Sequence, residues 1–108
     1  MAFVETATFT RLITELVSDD DYYPFQQELG ARPEAGGPMR DCGGVRKVRL
    51  AVPGKGKSGG ARVLYLYLKN RQILYLLSLF TKGNAANLSA EGKKKMRNLA
   101  KQIIQESS

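Results

Sequence analysis

The sequence predicts a small α+β domain with elements in the order βααβββα. Three observations predict it. Apolar residues recur at helical spacing near both ends of the chain, a middle segment alternates between charged and apolar residues, and two runs rich in leucine and tyrosine follow that segment. A chain of 108 residues supports one core, so residues 1–108 are expected to form a single domain.

The N-terminal part of the chain is predicted to form a strand and two helices. Residues 2–6 form the strand, and Thr8 is a candidate cap for a helix with one apolar face. The second helix contains Pro24, which a helix tolerates only in its first turn, so this helix is expected to begin no earlier than about Asp20. Residues 31–44 are rich in glycine and proline and are predicted to be an irregular connection, with a brief extended piece at Met39.

Three strands and a helix are predicted for the rest of the chain. Residues 45–51 alternate with the period of a strand, which places Lys47 and Arg49 on one face. Residues 61–69 and 72–80 are almost continuously apolar, and a tight hairpin is predicted between them. Such runs are typical of central, buried strands. The final helix combines an apolar stripe with an opposite face rich in lysine.

Charge divides the chain into two parts. Residues 1–41 hold eight acidic and three basic residues, whereas residues 42–108 hold two acidic and fourteen basic residues. A segment this basic favours a polyanionic partner, because neutralised phosphates release their counterions. Free RNA, DNA, the ribosome and an anionic membrane all fit that charge. A solvated face that keeps the protein soluble is the structural alternative.

The absence of certain residues and segments excludes several classes of protein. The chain has no histidine and one cysteine, Cys42, so Cys/His zinc sites, Cys/His catalytic pairs and internal disulfides are excluded. The longest apolar run, residues 73–80, falls well short of the roughly 20 residues of a membrane helix, and no export signal is evident. The protein is expected in the cytoplasm, away from membranes, with no metal or other cofactor.

The candidate site lies between residues 43 and 65. Six cations fall within seventeen positions there, and the glycines around them permit close approach of the backbone to a ligand. Residues 54–58 end in Gly-Lys-Ser, as a phosphate-binding loop does. However, Ala51 stands where that loop needs a glycine, and a strand follows instead of a helix. Hydrolysis of nucleoside triphosphates is therefore not expected.

Lysine and arginine can supply most of an RNA-cleaving site. Attack of a ribose 2′-hydroxyl on the adjacent phosphate needs in-line geometry, a base, donors for the phosphorane oxygens and an acid for the leaving 5′-oxygen. Arginine grips phosphate but keeps its proton, whereas a lysine crowded by cations can act as a base. Lys47, on the same face as Arg49, is the candidate base. Arg62 either points into this site or pairs with Asp41.

Other groups have a structural and a functional interpretation. Tyr65, Tyr67 and Tyr75 could stack on bases, but their positions on leucine-rich strands favour the core. The lysines of the last helix are favoured as a solvated or ribosome-contacting face rather than a catalytic one. The candidates for contact with RNA or the ribosome are Arg46, Lys55, Lys57, Lys93, Lys94, Lys95 and Arg97.

These motifs give the chain, nearly end to end, a resemblance to toxins of the RelE/HigB superfamily. The resemblance is carried by Gly-Gly-Val-Arg-Lys-Val-Arg at residues 43–49 and Gly-Lys-Gly-Lys-Ser-Gly-Gly-Ala-Arg-Val-Leu-Tyr at residues 54–65. Phe-Gln-Gln-Glu-Leu at residues 25–29 and Leu-Ser-Leu-Phe-Thr-Lys-Gly-Asn at residues 77–84 follow the expected order. The HigB branch is the most similar.

The resemblance implies a fold, an activity and partners. The fold is a twisted, mainly antiparallel sheet with its helices on one face and its site on the other. The activity is that of a type II toxin that binds in the ribosomal A site and cleaves translated mRNA without a metal. The partners are the ribosome, mRNA and a cognate antitoxin with a DNA-binding domain, through which operator DNA is reached indirectly.

The resemblance also implies roles for individual positions. Gly83 and Leu88 stand near the places where RelE-type members carry an arginine and a tyrosine, and the histidines of some HigB members are absent, so the resemblance leaves the general acid and the base-stacking group open. Lys82, after the last long strand, is the candidate acid, and Lys55 and Lys57 either replace part of that function or grip ribosomal RNA. The implied catalytic residues are Lys47, Arg49, Arg62 and Lys82.

Two other functions remain open. ParE-like relatives share this fold but inhibit DNA gyrase by binding it, and a non-catalytic RNA-binding domain could use the same cations. The grouping of Lys47, Arg49 and Arg62 argues against the gyrase alternative. The residues together with the resemblance therefore favour an endoribonuclease without excluding a binding protein.

Overall fold

The computed structural model describes residues 1–54, 60–81 and 89–107, which form a mixed sheet of five strands and three helices. The elements are β1 (Ala2–Glu5), α1 (Ala7–Leu16), α2 (Asp19–Ala31), β2 (Gly37–Pro38), β3 (Arg46–Leu50), β4 (Ala61–Leu68), β5 (Ile73–Phe80) and α3 (Ala90–Glu106). Their order across the sheet is β1-β5-β4-β3-β2, with β1 parallel to β5 and the other pairs antiparallel. The predicted α+β class is confirmed, and the two-residue β2 is an addition to the predicted order.

The two N-terminal helices begin earlier than predicted. Thr6 caps α1, since its hydroxyl accepts a hydrogen bond from the Phe9 amide at 3.0 Å, and Ser18 caps α2 in the same way. Because α2 begins at Asp19, Pro24 falls in its second turn rather than its first. The proline therefore removes one hydrogen bond inside the helix. In the part of the chain that the structure describes, no helix has the length and apolarity needed to span a membrane.

The cap at Thr6 leads to a prediction about stability. The Thr6 hydroxyl also donates to the Leu77 carbonyl oxygen at 2.7 Å, so it fastens α1 to β5. Thr6→Ala is expected to lower the free energy of unfolding by about 2 kcal/mol, at the upper end of the cost of losing a cap. Ser18→Ala, at an exposed cap, should cost about 1 kcal/mol. Urea denaturation measures both, and an equal or smaller loss for Thr6→Ala would contradict the second role.

Side-chain alternation along β4 creates two core clusters on opposite faces of the sheet. Val63 and Tyr65 pack with residues of α1 and α2, whereas Leu64 and Leu66 pack with Ala100 of α3. The expectation that all helices lie on one face is therefore wrong for α3. The physical reason is that β4 and β5 are apolar on both faces, and each apolar face needs cover from water.

A sharp turn before β3 packs against α3. Asp41, Gly43 and Gly44 all have positive φ angles, of 58°, 67° and 101° respectively. The Arg97 guanidinium donates to the Asp41 carbonyl oxygen at 3.1 Å, and a Cβ on Gly43 would lie 3.5 Å from the Arg97 carbonyl oxygen. Glycine adopts this backbone conformation without strain. The turn thus fixes the start of β3 relative to α3.

Candidate nucleic-acid interface

The register of β3 and β4 brings three predicted site residues onto one face of the sheet. Arg49 lies directly opposite Arg62, and Lys47 lies opposite Leu64. Directly opposed residues project to the same side, and so do alternate residues of one strand, so Lys47, Arg49 and Arg62 share a face. We call these three residues the basic face. Lys47 and Arg49 are exposed, and Arg62 is partly exposed.

The basic face lies on the same side of the sheet as α3. Leu64, the cross-strand partner of Lys47, belongs to the cluster that packs against α3. The Ser89 hydroxyl caps this helix by accepting from the Gly92 amide at 3.0 Å. The predicted cations of α3 are exposed or partly exposed: Lys93, Lys94, Lys95 and Arg97. The cations of α3 and the basic face therefore lie on the same side of the sheet.

The opposed arginines are unfavourable in the protein alone. Like charges directly opposite each other in an antiparallel pair destabilise a sheet by up to about 1 kcal/mol. Within residues 1–54, 60–81 and 89–107, neither Arg49 nor Arg62 forms an ion pair with an acidic side chain. Among the described residues, the Arg62 guanidinium donates to its neighbour in the sequence, the Ala61 carbonyl oxygen, at 3.3 Å. An anion such as phosphate, held between the two guanidinium groups, would relieve this repulsion.

The predicted alternative for Arg62, an ion pair with Asp41, does not form between these two described residues. Asp41 lies before the start of β3, whereas Arg62 lies opposite Arg49, near the other end of that strand. The antiparallel register therefore separates the two side chains along the sheet. Arg62 remains on the basic face.

Arg46 lies on the opposite side of β3 and contacts the protein itself. Its guanidinium donates to the carbonyl oxygens of Gly36 at 2.6 Å and Glu34 at 3.2 Å, and it lies 3.7 Å from the Glu34 carboxylate. The half-buried position of Arg46 was not foreseen from the sequence, which assigned this residue to RNA contact. Whether Arg46 also contacts RNA stays a prediction.

Tyr65, directly opposite Arg46 on β4, has a fully buried side chain. Its phenol accepts a hydrogen bond from the Gly36 amide and donates one to the Pro33 carbonyl oxygen, both at 2.9 Å. Burial raises the pKa of the Tyr65 phenol above its usual value, so the group stays protonated as a donor. The core interpretation of Tyr65 is confirmed, and stacking of this ring on a base is excluded.

Three predicted residues, Lys55, Lys57 and Lys82, lie outside the described residues, and their roles stay predictions. Phe80, the last residue of β5, pairs with Arg62. β5 therefore ends beside Arg62, and Lys82 follows Phe80 two residues later in the sequence. Gly83 and Leu88 also lie outside the described part.

Concave regions border the sheet in the described part of the chain. A cavity of about 310 Å³ lies between the β4–β5 turn and the end of α3, where Lys69, Arg71 and Ile104 line it. A groove of about 160 Å³ lies between α2 and β3 and includes Val48 and Arg49 in its lining. No group of three or more Cys, Asp or Glu residues that could hold a metal ion occurs in the described ranges.

Comparison with known proteins decides the family. A family model described as the RelE toxin of the RelE/RelB toxin-antitoxin system matches residues 31–108. The chain belongs to the RelE family. The predicted membership is thereby confirmed at the level of the RelE toxins, while the HigB branch stays a prediction. The match includes the whole basic face.

Solved RelE structures share the fold of this RelE-family chain. A chain of the intact E. coli RelBE toxin-antitoxin complex is 17% identical, with a TM-score of 0.56 over 72% of this chain and 92% of that chain. An arginine-to-alanine double mutant of E. coli RelE in the free state is 16% identical, with a TM-score of 0.59 over 88% of this chain and 96% of that chain. At such identities the similarity concerns the fold.

Proposed function

We propose that this RelE-family toxin is a ribosome-dependent endoribonuclease of a type II toxin-antitoxin module, active in the cytoplasm as a single domain of the HigB branch. The observation that carries the proposal is the basic face, in which two arginines oppose each other without an acidic partner among the described residues. A lysine lies on the same face, two residues before Arg49. This arrangement suits the binding and cleavage of a phosphodiester.

The side chains divide the chemistry between them. Arg49 and Arg62 hold the scissile phosphate and stabilise the charge that develops on the phosphorane oxygens. Lys47 takes the proton of the 2′-hydroxyl, and Lys82 donates a proton to the leaving 5′-oxygen. A bond forms between the 2′-oxygen and phosphorus while the bond from phosphorus to the 5′-oxygen breaks. The products are a 2′,3′-cyclic phosphate and a 5′-hydroxyl, and no metal takes part.

Flanking cations supply the grip on the ribosome in this proposal. The four cations of α3 lie on the same side of the sheet as the basic face, which supports a continuous polyanion-binding surface. Arginine and lysine contacts to phosphates fix register and orientation on RNA and leave the chemistry to the central residues. The proposed ribosome and RNA contacts are Arg46, Lys55, Lys57, Lys93, Lys94, Lys95 and Arg97.

A cognate antitoxin is the second proposed partner. The similar E. coli chain was solved within a RelBE toxin-antitoxin complex. By analogy, an antitoxin with a DNA-binding domain would cover this chain's basic face with an acidic segment, and operator DNA would be reached only through it. Charge pairing of this kind neutralises the surface that RNA would otherwise occupy.

Toxin-antitoxin affinity is expected to depend on salt. Between about 0.1 M and about 1 M NaCl the Debye length falls from about 10 Å to about 3 Å, so exposed charge pairs are screened. The dissociation constant, measured by calorimetry, is expected to rise by about tenfold or more over this range. Lys69→Met, at the exposed β4–β5 turn, serves as a control that should keep the same salt dependence. Affinity that is unchanged by salt would contradict a charge-dominated interface.

Inducing the protein in cells and mapping mRNA 5′ ends tests the proposed function. Cuts within translated codons are the expected result. Linearised or trapped DNA with intact mRNA would instead indicate inhibition of gyrase, as in ParE-like relatives. RNA that binds the protein but keeps its full length with ribosomes present would indicate a non-catalytic RNA-binding domain. Either of these two results would overturn the proposed endoribonuclease.

A further inference from the structure

Two side chains, those of Tyr65 and Arg46, hold the connection between α2 and β2 on the side of β3 opposite to the basic face. Tyr65 hydrogen-bonds both the Gly36 amide and the Pro33 carbonyl oxygen, and Arg46 donates to the Gly36 and Glu34 carbonyl oxygens. Tyr65 and Arg46 are themselves direct neighbours across β4 and β3. We call these five residues the β3 clamp. Its contacts join three segments that are far apart in the sequence.

The β3 clamp packs closely against the backbone of Lys47. A Cβ added to Gly36 would lie 2.7 Å from the Lys47 carbonyl oxygen and 2.8 Å from the Tyr65 hydroxyl, so only glycine fits there. The next residue, Gly37, pairs with Lys47 in the sheet. The backbone at Lys47 is therefore held between β4 and a segment that the Tyr65 phenol fixes in place. The Lys47 side chain projects from the other face of the same strand.

We propose that Tyr65 and Gly36 are positioning residues for cleavage. They set the position and orientation of the β3 backbone, and thereby those of the basic face. This inference rests on the proposed function. Neither residue is accessible to RNA, because Gly36 is buried and Tyr65 is fully buried on the side of the sheet covered by α1 and α2. Their effect on cleavage passes through the backbone of Lys47. A displacement of about 1 Å at a reacting group can cost about 10²-fold in rate.

Tyr65→Phe tests the clamp with the least change in shape. The variant keeps the ring in the core but leaves the Gly36 amide and the Pro33 carbonyl without their partner. We expect kcat for ribosome-dependent cleavage to fall by about tenfold or more while KM changes by less than about twofold. The backbone amides of Gly36 and Gly37 and those of residues 46–49 should exchange with solvent at least about tenfold faster.

Tyr22→Phe is the matched control. The Tyr22 phenol is also largely buried and donates to the Glu5 carboxylate at 2.7 Å, but Glu5 belongs to β1, at the opposite edge of the sheet. Both tyrosine variants are expected to lose a comparable few degrees of melting temperature. Only Tyr65→Phe should change kcat and amide exchange along β3. A structural role alone would make the two variants behave alike.

A second pair of variants tests the packing of the β3 clamp against β3 while leaving Tyr65 unchanged. Gly36→Ala places a methyl group against the Lys47 carbonyl oxygen, whereas a Cβ at Gly37 meets nothing within 4 Å. Gly36→Ala is expected to reproduce the loss of kcat, and Gly37→Ala to leave it within about twofold of the wild type. If Gly36→Ala does not fold, Tyr65→Phe still decides the question.

The outcomes separate the clamp from the proposed function. A wild type that leaves ribosome-bound mRNA intact would overturn the proposed function and this role with it. An active wild type with Tyr65→Phe as fast as Tyr22→Phe would overturn the clamp alone. A fall in kcat confined to Tyr65→Phe and Gly36→Ala, with faster exchange along β3, would support it.

Discussion

Replacing Lys47 with methionine is expected to lower the rate of ribosome-dependent mRNA cleavage by about 10²-fold or more, the usual contribution of a general base. Lys47 is exposed, and its side chain forms no hydrogen bond or ion pair with any residue that the structure describes. Methionine preserves most of the aliphatic stem while removing the amine. The melting temperature and the affinity for the ribosome should therefore stay close to those of the wild type.

Lys69→Met is the control for this variant. Lys69 is also exposed, but it lies in the turn between β4 and β5, at the far end of the hairpin from Arg62. Its replacement removes the same charge from the protein without changing the basic face. Single-turnover cleavage on programmed ribosomes compares the two. A Lys47→Met variant that cleaves within about threefold of the wild type, a difference under about 1 kcal/mol, would rule out Lys47 as the base.

Replacing Arg62 with methionine is expected to slow cleavage without lowering the free energy of unfolding. Loss of a donor to the phosphorane oxygens should slow cleavage by about 10²-fold to 10³-fold. The free energy of unfolding should stay the same or rise by up to about 1 kcal/mol, because the repulsion from Arg49 disappears. Arg62→Lys should recover only part of the rate, since lysine keeps the charge but lacks the bidentate fork of arginine.

Cleavage assays and urea denaturation of the same preparations measure both quantities. Arg71→Met, at the exposed β4–β5 turn, is the control and should change neither by much. Retained activity together with a stability loss above about 1 kcal/mol would indicate that Arg62 has a structural role instead. The same result would remove the main support for phosphate binding between the opposed arginines.

The sequence predicted the part of the site that depends on local periodicity. Strand alternation places Lys47 and Arg49 on one face whatever the rest of the chain does. The position of Arg62 opposite Arg49 depends on the register between β3 and β4, which the sequence pattern does not specify. The resemblance to a family implies a catalytic role for Arg62, and the pairing of β3 with β4 shows that Arg49 is its neighbour.

The position of α3 and the contacts of the β3 clamp could not be predicted from the sequence and are seen only in the folded structure. Both faces of β4 are apolar, as its continuous run of leucine and tyrosine indicates, yet this pattern does not say which helix covers which face. Tyr65 finds its partners 29 and 32 positions away in the sequence, at Gly36 and Pro33. No short-range motif predicts contacts over such separations. Arg46 was therefore assigned to RNA by its charge alone, without its internal partners.

Attack by the ribose 2′-hydroxyl is tested by cleavage of mRNA on programmed ribosomes, with and without a 2′-deoxy nucleotide on the 5′ side of the cut. We expect the wild-type protein to cut the all-ribose message, to leave a 2′,3′-cyclic phosphate and to fail on the message with the single 2′-deoxy substitution. Lys47→Met should cut the all-ribose message about 10²-fold or more slowly and should fail on the substituted message. Intact all-ribose message with the wild-type protein, or equal cutting of both messages, would show that the protein does not cleave RNA in this way.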